Sequence, residues 1–90
     1  MNPTEKKQLR AQAHTLKPLI LIGQSGLTEA VKAEIQLALD QHELIKIKIR
    51  SSNRELRLQI SEDICLATSA TLIQSIGQII VIYRKNSKKH

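Results

Sequence analysis

Ninety residues with 41% hydrophobic composition suffice for one domain around one core. Fourteen Lys and Arg against eight Asp and Glu give a net charge of +6 and a pI of ≈ 9.8, a balance that suits polyanions, nucleic acid before anionic membrane. With no apolar run of about 18 residues, no apolar leader within Met1 to Lys7 and one cysteine, Cys65, the sequence excludes a spanning helix, a secretory signal and an intrachain disulfide, and the expected location is cytoplasmic.

In chain order, Thr4 is the expected N-cap of a first helix running to about His14, with Leu9, Ala13 and Leu16 as its buried stripe. Lys6, Lys7 and Arg10 project from its other side, and Pro18 ends any helix before it. Leu19-Ile20-Leu21-Ile22, four apolar residues in a row, predicts a strand buried on both faces. Gly23-Gln24-Ser25-Gly26 then breaks the chain. A second helix follows, with Thr28 as N-cap, Glu29 complementing the helix dipole, and Leu27, Ala30, Val31, Ile35, Ala38 and Leu39 as one stripe.

Leu44 to Arg50 alternates, Ile45, Ile47 and Ile49 one way, Lys46, Lys48 and Arg50 the other. Ser51-Ser52-Asn53 reads as a turn whose Asn53 caps a third helix. Leu56, Leu58 and Ile60 alternate as a strand would, but the longer series Leu56, Ile60, Ile64 and Ala67 keeps a helical stripe, and a helix is expected. Thr71 to Ile76 and Gln78 to Arg84 predict two strands around Gly77. The expected order is αβαβαββ: an α/β domain over residues 1–84, with helices on a four-stranded mixed sheet, followed by a basic tail over 85–90.

The loop Gly23-Gln24-Ser25-Gly26 lies between a strand and a helix N-terminus. Two glycines three apart let backbone approach a ligand closely, and the following helix aims free N–H groups and a positive dipole at the same space. A G-x-x-G loop clamps the sugar-phosphate backbone in KH domains this way. The loop has neither the Gly-Lys-Ser/Thr of a Walker A loop nor the third glycine of a dinucleotide fingerprint. Alone, it is more often just the ordinary way to turn from strand to helix. Its company is basic: Lys17 before the first strand, Lys32 in the second helix, and Lys46, Lys48 and Arg50 along one strand face with no acid between them.

Leu16-Lys17-Pro18, Ile22-Gly23-Gln24-Ser25-Gly26-Leu27-Thr28-Glu29-Ala30-Val31 and His42-Glu43-Leu44-Ile45-Lys46-Ile47-Lys48-Ile49, followed by Leu72-Ile73-Gln74-Ser75-Ile76-Gly77 and Val81-Ile82-Tyr83-Arg84, resemble the CRM domain in its stand-alone bacterial form, the YhbY type. The resemblance covers Leu9 to Arg84. It implies an RNA-binding module related in fold to the C-terminal domain of a translation initiation factor. In bacteria this family is associated with precursors of the large ribosomal subunit, and in plant organelles with group II intron splicing. The family's loop corresponds to Gly23, Gln24, Ser25 and Gly26. Two departures stand out: Gln24 and Ser25 are neutral where many members carry a basic residue, and Arg54 to Ile60 is less helix-like than the family pattern.

With no Trp, no Phe and only Tyr83, the chain cannot build an aromatic stacking platform. Any RNA contact must work through phosphates, backbone and shape. The residues expected to contact RNA are Lys17, Gly23, Gln24, Ser25, Gly26, Thr28, Lys32, Lys46, Lys48, Arg50 and Arg84. Arg84, Lys85, Lys88 and Lys89 read either as a basic arm on RNA or as a solubilising tail. His42-Glu43 lacks the second histidine of a zincin, and His14, His42 and His90 have no cysteine partners at ligand spacing. Cys65 reads as a small buried hydrophobe. Glu62 and Asp63 are adjacent and cannot form a facing acid pair on a helix. The expectation is a non-catalytic RNA-binding protein without metal or cofactor, its partner the rRNA of large-subunit precursors. The alternatives are a protein-interaction adaptor with a basic surface and a splicing cofactor.

Overall fold

Alternating isoleucines and cations over Leu44–Ile49 make β2 the middle of the molecule. The structure, a computed structural model, describes residues 1–86. Its elements are α1 (Pro3–Ala13), β1 (Pro18–Ile22), α2 (Glu29–His42), β2 (Leu44–Ile49), α3 (Arg54–Thr68), β3 (Thr71–Ile76) and β4 (Ile79–Tyr83). The sheet order is β1-β2-β4-β3, with β1 and β2 parallel and the other two pairings antiparallel. A parallel pair needs a crossover, and α2 supplies it.

One face of the sheet carries the main core. Ile45, Ile47 and Ile49 of β2 are fully buried beside Ile20 and Ile22 of β1 and Ile80 and Ile82 of β4. Ile35 and Leu39 of α2 and Ile60 and Ile64 of α3 close over them. The core is almost wholly aliphatic, and each such side chain contributes about 1.5–3 kcal/mol on burial. On the other face, Leu44, Ile73 and Val81 meet Ala13, with Leu9 and Tyr83 at the margin. Helix α1 packs over β2 and β3 there and leaves the rest of that face bare.

That bare area overturns one expectation. Leu19 and Leu21 are 54% and 52% exposed, so β1 is buried on one face only. Strand β1 is an edge strand, α2 covers one of its faces, and α1 crosses the sheet too far away to cover the second. Leu16, expected in the stripe of α1, also stands exposed.

The caps follow the sequence except at α1. Asn2, not Thr4, caps α1, its side-chain oxygen accepting the Glu5 N–H at 2.8 Å, because Pro3 already occupies the first helical turn. Thr28 accepts the Val31 N–H at 3.2 Å and Asn53 that of Leu56 at 3.1 Å, so the third helix begins where the Asn53 cap set it. Its buried line is Ile60, Ile64 and Thr68, whereas Leu56 and Ala67 are exposed. Gly77, with φ +56°, opens a two-residue turn between β3 and β4. Of the expected basic arm, Lys88 and Lys89 lie outside the described residues.

Candidate nucleic-acid interface

The topology decides which loops meet. Because β1 and β2 run parallel, both end at the same edge of the sheet, and the N-termini of α2 and α3 start there. The pairing of Lys48 with Ile79 brings the β3–β4 turn to that edge as well. Three segments distant in sequence, 23–28, 50–53 and 77–78, therefore form one end of the molecule. They are stitched by backbone: Arg50 N–H donates to the Ile22 carbonyl at 2.9 Å, and Ile49 N–H to that of Gln78 at 2.7 Å. The Ser51 carbonyl accepts from Arg57 Nη1 at 2.6 Å and from Gln78 Nε2 at 3.2 Å.

A cleft of about 370 Å³ opens at this end, lined by Gly23, Gln24, Arg50, Ser51, Ser52 and Gln78. Gly26 closes the loop by donating its N–H to the Gly23 carbonyl at 3.1 Å, and its φ of +70° is one that side-chain-bearing residues rarely adopt. Gly23 is different. A Cβ added there would meet nothing within 4 Å, so the fold does not require glycine for space at that position. The N–H groups of Gln24 and Ser25 have no acceptor among the described residues. Thr28 sits behind the loop as the cap of α2, half-buried, with its hydroxyl oxygen committed to Val31.

The cations expected to accompany the loop are dispersed. Arg50 is exposed and lines the cleft. Lys48 is exposed on the bare sheet face, paired across strands with Leu21 and Ile79. Lys46 is half-buried near α1, in a hollow shared with His14, Gln74, Ile76, Ile79 and Val81. Lys17 precedes β1 and so lies at the far end, roughly 20 Å from the loop at a strand's rise per residue. Lys32 forms an ion pair with Glu29 at 2.9 Å and faces a shallow hollow between α2 and α3. That partner's hydrogen bond, and then its charge, hold the Glu29 carboxyl below its ordinary range.

Arg84 is engaged inside the fold. Its Nη1 donates to Gln36 Oε1 and, at 2.9 Å, to the Thr68 carbonyl, and its Nη2 donates to Asp40 Oδ1 at 2.7 Å. This guanidinium ties the end of α3 to α2 at the edge of the sheet opposite the loop. Arg54 and Arg57, absent from the sequence expectation, stand at the loop end beside Gly77. The signal for them was Arg54 itself, a cation in the first turn of a helix, where the dipole favours acids.

Among the described residues no three His, Cys, Asp or Glu side chains gather to hold a metal ion. Burial pushes the Cys65 thiol up from its ordinary value, which favours its protonated form. No helix among the described residues is long and apolar enough to cross a membrane.

Residues 1–84 match the model of the CRS1/YhbY (CRM) domain. The chain is 42% identical over 84 residues to a Pseudomonas aeruginosa protein named as a probable RNA-binding protein, an alignment spanning 93% of this chain and 81% of that one. It is 41% identical over 88 residues to a Haemophilus influenzae protein named RNA-binding protein, spanning 98% and 89%. The solution structure of a Staphylococcus aureus protein superposes with a TM-score of 0.84 at 34% identity, covering 94% of this chain and 88% of that one. Family model, relatives and fold agree: the chain belongs to the CRS1/YhbY (CRM) domain family.

Proposed function

We propose that this protein binds RNA without catalysing a reaction, gripping the sugar-phosphate backbone at the loop end of its sheet. The observation that carries the proposal is the cleft where Arg50 faces the Gly23–Gly26 loop and the Gln24 and Ser25 N–H groups have no acceptor among the described residues. Backbone N–H groups and one arginine make a phosphate site without aromatic or base-reading side chains. Gly26 sets the turn, Gly23 leaves room for the ligand, and Thr28 holds the helix start in place. Lys48 and Lys46 extend positive charge along the bare sheet face toward Lys17, and Lys32 borders the other side. The names of the relatives support the RNA reading. The resemblance to the stand-alone bacterial type supports large-subunit ribosomal precursors in the cytoplasm as the setting, with residues 1–84 as the binding unit.

Gly23→Asp tests the loop cleanly, because it adds a negative charge where a side chain meets no steric obstacle. Affinity for a short structured RNA should fall tenfold or more, as about 1.4 kcal/mol of lost phosphate contact implies, with thermal stability unchanged. Unaltered affinity removes the loop from the interface. For the ribosomal setting, the protein should travel with large-subunit particles in a low-salt gradient of cell extract and leave them at high salt.

A second reading, a protein-interaction adaptor, has one observation in its favour. Leu19, Leu21 and Ile76 stand exposed around Lys48 on the bare sheet face. An adaptor complex would survive nuclease treatment, whereas the RNA reading requires that it fall apart.

A further inference from the structure

The loop end holds a second cleft, also of about 370 Å³, lined by Arg54, Arg57, Leu58, Ser75 and Gly77. Its lining overlaps none of the residues around the Gly23 cleft, but the two adjoin: Ser51–Ser52 and Gln78 line the first, while Arg54 and Gly77, their close neighbours in the chain, line the second. Resting on the RNA reading above, we infer that the interface continues into this second cleft, where Arg54 and Arg57 take a further phosphate of the same RNA.

The two arginines are prepared differently. Arg57 is half-buried and anchored by the 2.6 Å bond from Nη1 to the Ser51 carbonyl, which occupies one of its five donors and restrains the guanidinium. A fork held in advance loses less freedom on meeting a phosphate. Arg54 is exposed and has neither an acidic partner within 4.0 Å nor a side-chain hydrogen bond among the described residues. It stands in the first turn of α3, where the helix dipole opposes a cation, so the fold alone gains nothing from its charge. An anion between Arg54 and Arg57 reverses that balance.

The rest of the cleft suits a nucleotide backbone. The Ser75 side chain offers a hydroxyl. Leu58, 43% exposed, gives an apolar wall for a ribose. Gly77, at φ +56°, leaves open space above the turn, since an added Cβ would meet nothing within 4 Å. With Arg50 in one cleft and Arg54 and Arg57 in the next, the strand crosses the edge of the sheet from the Gly23 loop to the β3–β4 turn. It does not run along the bare face beside Lys46 and Lys48.

The test uses the full chain and a short fluorescein-labelled RNA hairpin, followed by anisotropy over a series of KCl concentrations. Arg54→Gln should weaken binding about five- to tenfold at low salt and reduce the slope of log K against log salt by about 0.7–0.9. Lys7→Gln on the exposed side of α1 removes the same charge away from the clefts and should leave the slope nearly unchanged. In parallel, adding the hairpin to ¹⁵N-labelled wild type should shift the amides of Arg57, Ser75 and Gly77 together with those of Gln24 and Ser25. Normal binding by Arg54→Gln, or equal losses in both charge variants, overturns the second cleft. So do shifts confined to 23–28. If Gly23→Asp still abolishes binding in those cases, the loop reading stands without the second cleft. A wild type that binds no hairpin overturns both.

Discussion

The two ends of this sheet carry the same kind of residue to opposite purposes. At one end Arg84 is enclosed by Gln36, Asp40 and the Thr68 carbonyl, and its own backbone N–H donates to the Glu43 carbonyl at 2.9 Å. Even the neighbouring chain is tied down, Asn86 N–H donating to Glu43 Oε2 at 2.7 Å. At the other end Arg50 and Arg54 have no acidic partner among the described residues, and the glycine loop beside them leaves N–H groups unused. A guanidinium whose donors are spent inside the fold stabilises; one whose donors are free can recognise. Local charge density does not distinguish the two, but the hydrogen-bond inventory does.

The largest effect that would break this comparison is at Arg84. Arg84→Ala should remove about 2 kcal/mol of stability, since it leaves the Gln36 side-chain and Thr68 backbone carbonyls without a donor in a partly buried site. That corresponds to a fall in Tm of roughly 10 °C for a domain of this size. RNA affinity at a temperature where the variant remains folded should stay within about twofold of wild type. Arg84→Lys should recover little, because an ammonium cannot span three acceptors in one plane. Retained stability with lost affinity would make Arg84 part of the interface and erase the distinction between the ends.

The next effect separates the two loop glycines. Gly26→Ala forces a side chain into positive φ and should cost about 1 kcal/mol in urea unfolding. Gly23→Ala should leave stability where it was and still weaken RNA binding, because only the ligand needs that space. Equal stability losses at both positions would mean that the glycines serve the turn alone.

Smaller still is Lys48→Ala. A long-range contribution from the bare sheet face should lower the salt slope by less than the 0.7–0.9 or so of a full phosphate contact, with no change in the melt. A full unit would move the RNA path onto the sheet face and against the second cleft.

The smallest effect concerns Glu29. Its carboxyl titrates lower in the folded chain than unfolded, so its ion pair with Lys32 supports the fold above the ordinary carboxylate range and fades as pH falls through the lowered value. Both groups sit in solvent, which screens the pair. An NMR titration should show the Glu29 carboxyl changing below the ordinary carboxylate range, while Glu29→Gln leaves the melt at neutral pH unaltered.

Much of the fold is written in local patterns. Ile45, Ile47 and Ile49 alternate with cations because β2 has one face under two helices, and Thr28 and Asn53 mark helix starts by their own side-chain chemistry. Thr4 failed as a cap because Pro3 before it already suits the first helical turn, handing the cap to Asn2. Leu19 to Ile22 misled for a different reason. A continuous apolar run looks the same whether its strand lies in the middle of a sheet or at its edge. Whether a second layer reaches that strand depends on where α1 crosses, and nothing within the run records that.

The candidate site was half legible. The Gly23–Gly26 loop announced itself, because two glycines at a strand-to-helix junction carry a backbone meaning on their own. Lys17 and Lys32 are basic and near the loop in sequence, and Arg84 opens a basic tail; in the fold Lys17 lies at the far end, Lys32 is in a local ion pair, and Arg84 is in an internal clamp. Arg54 and Arg57 carry no comparable local mark, because an arginine on a helix ordinarily lies on a solvated face.

By itself, then, the sequence determined the element order, the buried isoleucine face and the glycine loop, since each depends on interactions a few residues long. Only the tertiary structure decided that Arg84 is spent inside the fold while Arg50 and Arg54 remain free. That choice depends on acceptors brought from 16 to 48 residues away in the chain, and no local pattern encodes a partner at such a distance.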